Sequence, residues 1–87
     1  METRTIGQLL ALAEARVQRC YALLSRQRSL VRHLERHGLG TFQARHLLKE
    51  LEETQVSLVA ERDRVESEMA AGMTRPAETA ISRRIGG

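Results

Sequence analysis

Eighty-seven residues make at most one small domain, and one Phe, one Tyr, one Pro and no Trp leave few of the side chains on which a compact globular core depends. Leu, Ala, Glu and Arg dominate instead, the composition of long helices and coiled coils. The net charge of +3 is unevenly spread: residues 1–40 hold seven Arg against three Glu, residues 41–71 hold seven acids against three Arg and one Lys, and residues 72–87 hold three Arg against one Glu.

The first two segments are electrostatic complements, which predicts that they pair. A single cysteine, Cys20, excludes a disulfide framework within the chain. No apolar run resembles a signal peptide or is long enough to span a bilayer, so a reducing cytoplasm is the expected compartment.

Thr5 followed by Gln8 fits the capping box and opens a helix predicted over about 5–37. Gly38 suits the left-handed position just past a helix end, and Leu39 suits the apolar contact that follows it. The loop covers 38–41. Thr41 is the expected N-cap of a second helix over about 42–71, which Gly72 can end. Residues 1–71 thus read as a helical hairpin. Residues 72–87 read as a flexible basic tail, with a short helix over 76–85 as the alternative.

Apolar residues recur at alternating steps of three and four. Leu10, Ala13, Val17, Cys20, Leu24, Gln27, Val31 and Leu34 line one seam; Ala44, Leu48, Leu51, Gln55, Leu58, Arg62, Val65 and Met69 line the other. The short loop forces the seams to meet antiparallel. Folding at Gly38–Gly40 predicts Leu34 opposite Ala44, Gln27 opposite Leu51, Leu24 opposite Gln55 and Cys20 opposite Leu58. It also brings Arg28 near Glu52, Glu35 near Arg45, Arg16 near Glu61 and Leu30 near Leu47. Gln27 and Gln55 fall in adjacent layers, where they could hydrogen-bond diagonally. Arg62 is expected to lay its stem on the seam and keep its head wet.

The fold class is therefore all-α, an antiparallel two-helix hairpin. A lone hairpin buries only one narrow seam, and apolar residues continue outside it: Leu9, Leu12, Tyr21, Leu23 and Leu30 on the first helix, Leu47, Val56 and Val59 on the second. A wide apolar face is the mark of a bundle helix. These eight residues are the expected self-association surface of a homodimeric four-helix bundle; a different protein supplying the missing helices is the other arrangement.

Chemistry is sparse. His33 and His37 are four apart, and the predicted register brings His46 near His33, but no carboxylate or thiol completes a metal site. Cys20 sits on the seam with no base in reach and reads as a small buried hydrophobe. No phosphate loop, acid pair or triad is present. No enzyme activity, metal or cofactor is expected. Arg28, Arg32 and Arg36 form a row that could track phosphates, without a helix-turn-helix or an aromatic platform beside it.

Residues 26–69 resemble a class of small bacterial helical-hairpin proteins. The likeness is carried by Arg26–Arg28, Leu30–Val31, Leu34–Glu35, Gly38 or Gly40, Thr41, Leu47–Leu48, Leu51–Thr54 and Arg62–Arg64. It implies the hairpin fold and no activity. The architecture is also similar to the plasmid regulator ROP, whose hairpins dimerise and bind RNA, by fold alone. The expected function is a non-enzymatic interaction module or small adaptor, most simply a homodimer serving an unknown protein partner. The alternatives are a nucleic-acid-binding regulator using the Arg row, and a membrane-surface or secretion-chaperone role for the basic tail.

Overall fold

The computed structural model describes residues 4–86, with side chains described for residues 4–72. It contains two helices, α1 (Ile6–Arg36) and α2 (Phe42–Gly86), packed against each other, and no strand among the described residues. The molecule is a rod of 71 × 27 × 18 Å.

Local chemistry explains the start of α1. The Gln8 backbone N–H donates to Thr5 Oγ1 at 3.1 Å, and the Thr5 N–H donates to Gln8 Oε1 at 2.9 Å. Two donors that the first turn leaves without helical partners are thereby satisfied. The other end is a Schellman motif. Gly38 takes φ 65, its N–H donates to the Glu35 carbonyl at 3.1 Å, and the Leu39 N–H donates to the Leu34 carbonyl at 2.9 Å. His33 and Arg36 in the last turn complement the negative end of the helix dipole.

The start of α2 differs from a simple cap. The Thr41 hydroxyl accepts from Arg45 Nε at 2.9 Å, and Arg45 Nη2 donates to Glu35 Oε2 at 3.0 Å. Arg45 therefore ties the first turn of α2 to the last turns of α1 across the tip. The helix then runs on to Gly86, past the stop expected at Gly72. A glycine ends a helix by adopting a left-handed conformation, and Gly38 is the only described glycine with positive φ. Right-handed, Gly72 costs about 1 kcal/mol relative to alanine without breaking the helix. The tail's expected flexibility lies outside the residues whose side chains are described.

All sixteen predicted seam positions are buried or half-buried. Ala13, Val17, Cys20, Leu24 and Val31 are the buried apolar core, and Val17 is only 1% exposed. Gln55 is buried with them. Arg62 stays half-buried and turns its head to Asp63 at 2.9 Å, in line with the expected wet guanidinium.

The register needs a correction. The three expected ion pairs are present: Arg16–Glu61 at 3.8 Å, Arg28–Glu52 at 3.8 Å and Glu35–Arg45 at 3.0 Å. The seam hydrogen bonds tell a different story. Gln27 Nε2 donates to the Ala44 carbonyl at 2.9 Å, the Cys20 thiol to the Leu51 carbonyl at 3.7 Å, and Gln55 Nε2 to the Val17 carbonyl at 3.2 Å. Each bond sets an α1 residue against an α2 residue nearer the loop, by about one seam layer or more, than predicted: Gln27 meets Ala44 and not Leu51, Cys20 meets Leu51 and not Leu58, and Gln55 correspondingly meets Val17, farther from the loop than Leu24. A layer of three or four residues is only about 5 Å. Long Arg and Glu side chains absorb that offset; short seam contacts do not. The two glutamines also bond the opposite backbone rather than each other, using the second lone pair of a helical carbonyl. Gln55 Oε1 is left buried without a hydrogen-bond partner.

Gly38→Ala forces a Cβ into a left-handed backbone and is expected to lower stability by about 1 kcal/mol. Gly40→Ala meets open space and has no positive φ, so it is expected to be neutral or mildly stabilising; equal losses in urea unfolding would contradict this account. Gln55→Leu removes the orphan acceptor and is expected to raise stability by about 1 kcal/mol. A thermal melt showing it clearly destabilised would mean that the Gln55–Val17 bond outweighs the unpaired oxygen.

Candidate functional site

Positions seven apart on a helix fall in one strip. Beside its seam, α1 has two such strips. Leu9, Arg16, Leu23 and Leu30 form one; Glu14, Tyr21, Arg28 and Glu35 form the other. On α2 the corresponding strips are Leu47, Thr54, Glu61 and Glu68, and Arg45, Glu52, Val59 and Glu66. The ion pairs show which strips meet. Arg16–Glu61 joins the first of each, whereas Arg28–Glu52 and Glu35–Arg45 join the second of each. The hairpin therefore has an apolar side and a charged side.

On the apolar side an open groove of about 200 Å³ lies between the helices, lined by Arg16, Arg19, Cys20, Leu23, Leu51, Thr54 and Leu58. Buried Cys20 and half-buried Leu51 and Leu58 make its floor. The Thr54 hydroxyl is satisfied within its own helix by the Glu50 carbonyl at 2.9 Å. Arg16 and Arg19 stand exposed at the rim. Leu9, Leu23, Leu30 and Leu47 are exposed along the same side.

The structure divides the eight residues expected to mediate self-association. Leu9, Leu23, Leu30 and Leu47 share the groove side, and half-buried Leu12 borders it, one turn from Leu9. Tyr21 and Val59 belong to the charged side. Val56 points away from the seam and is 71% exposed. The division arises because seam flanks alternate left and right along each helix, and a list of apolar residues outside the seam does not separate them. Sequence reasoning missed the tip. Phe42 is 84% exposed and Leu39 is also exposed, on either side of Gly40 and Thr41. The available signal was the only Phe of the chain placed next to a loop.

The remaining candidates are spread apart. The His33 and His37 rings lie 4.3 Å apart between centroids, and His37 Nδ1 is 2.9 Å from the His33 carbonyl. His46 turns to Glu50 on its own helix, with Nε2 to Oε1 at 3.0 Å. Among the described residues no three His, Cys, Asp or Glu side chains converge on a metal position. Cys20 is a free, buried thiol. Of the arginine row, Arg28 is shared with Glu52, Arg32 Nη2 donates to Ser29 Oγ at 3.2 Å, and Arg36 is exposed in the last turn of α1. No helix among the described residues is long and apolar enough to cross a membrane.

Comparison with protein-family models, with curated proteins and with solved structures finds no match to this chain.

Proposed function

We propose that this chain is a non-enzymatic protein–protein interaction module whose apolar side pairs with a second copy to build a four-helix bundle. The reading rests on one observation: the leucines exposed along the two helices share one side of the hairpin with an apolar groove, while two of the three interhelical ion pairs occupy the other. Charged residues spread evenly around the rod would leave no such side.

The class of bacterial helical-hairpin proteins that residues 26–69 resemble, and a reducing cytoplasm that keeps Cys20 a thiol, are parts of the same proposal. The bundle's outer surface then serves a further protein partner.

Light scattering of the full chain is expected to give twice 9.8 kDa at micromolar concentration. The double variant Leu23→Glu, Leu30→Glu is expected to be monomeric, because both side chains are exposed in the single hairpin and covered in the bundle. A monomeric parent chain, or a double variant that still dimerises, would defeat the reading.

A nucleic-acid-binding regulator is the second reading, supported by the exposure of Arg28, Arg32 and Arg36 in one row. It predicts RNA or DNA binding that weakens steeply with salt and drops when all three are changed to Ala. Filter binding at low ionic strength decides it, and no retention there removes this reading.

A further inference from the structure

The charges around the apolar side differ between the two helices. To this side α1 brings Arg19, Arg26 and Arg16, the last already paired with Glu61, and no carboxylate. To the same side α2 brings Glu50, Glu61 and Glu68 against Arg64. Arg16 and Arg19 line the groove itself, and Arg26 lies seven residues beyond Arg19 in the same strip. The strip on α1 is therefore basic and the strip on α2 mildly acidic.

A second copy can lie on this side with its two-fold axis in either of two directions. An axis across the hairpin stacks α1 on the α1 of the other copy and puts the two Gly38–Gly40 loops at opposite ends. An axis along the hairpin stacks α1 on the α2 of the other copy and puts both loops at one end. Both arrangements cover the same leucines, so apolar burial does not choose between them. Charge does. The first arrangement sets Arg19 and Arg26 against the same two arginines of the other copy around a desolvated patch, where like charges are costly. The second sets them against carboxylates.

We infer that the occupant of the groove side is a second copy of this chain, held with its two-fold axis along the rod, α1 on the partner's α2 and both loops at the same end. The inference rests on the proposed bundle and deepens it: the basic strip of α1 is a selector of dimer topology. It also places the exposed tips, Leu39 and Phe42, of both copies together at one end of the assembly.

The test uses the full chain with a spin label at Gly40→Cys in a Cys20→Ala background. Gly40 has open space around it and no positive φ, so the label fits. Loops at one end are expected to give a label separation below about 30 Å. Loops at opposite ends would give about 45 Å or more, since the 31 residues of α1 span that length at 1.5 Å each.

The second measurement leaves the core untouched. Arg19→Glu is expected to weaken the dimer about five-fold or more at low salt, an effect that fades by about 0.5 M salt. If the copies met α1 on α1, the same change would relieve arginine repulsion and tighten the dimer. A dimer with distant loops, or one tightened by Arg19→Glu, overturns this topology while leaving the bundle standing. A monomer at every concentration overturns both.

Discussion

Val17 is 1% exposed, and it sits in the middle of the one line along which the two helices can exclude water. The rest of the molecule depends on that line. Each helix is amphipathic along a narrow stripe, and the Schellman turn at Gly38 brings the two stripes face to face. Ala13, Cys20, Leu24 and Val31 extend the buried line on α1. On α2, Gln55 is the buried residue and the apolar seam positions are half-buried. A core this thin leaves apolar surface beside the groove on both helices, Leu9, Leu23 and Leu30 on α1 and Leu47 on α2, and from that surface the proposed pairing follows.

Polar residues in the seam set the alignment. Gln27, Cys20 and Gln55 each donate to a carbonyl of the opposite helix. Such bonds hold over a few tenths of an ångström, whereas apolar side chains tolerate sliding. The surface ion pairs are more forgiving. Arg16–Glu61 and Arg28–Glu52 span 3.8 Å between exposed side chains and contribute little to stability. Their presence fits both the predicted alignment and the observed one, a layer apart. Buried polar bonds, with an orphan oxygen at Gln55 as their cost, are the more exacting markers.

The proposed function of this chain is a matter of surfaces. Its thiol is buried, its histidines engage their own helices, and its arginine at position 28 shares a carboxylate. What remains exposed and organised is the leucine side with its groove, bordered by a basic strip on one helix and a mildly acidic strip on the other. A rod that carries greasy and charged sides back to back is suited to a bundle interior on one and water on the other. The proposed topology joins the two features, with burial supplying affinity and charge supplying orientation.

Most of the local structure was legible in the chain. The capping box at Thr5 and Gln8, the turn at Gly38 and Leu39, the membership of both seams and the three ion pairs are all local or periodic features, and they follow from residue spacing and backbone chemistry. Tertiary structure decided the rest. The alignment of the seams turned on where Gln27, Cys20 and Gln55 found carbonyls, a choice among positions a few ångströms apart that a periodic pattern repeats equally well. The division of Tyr21 and Val59 from Leu23 and Leu30 required knowing which flank of one helix meets which flank of the other. Continuation of α2 beyond Gly72 was likewise hidden, because glycine permits both a stop and a passage and its backbone conformation alone distinguishes them.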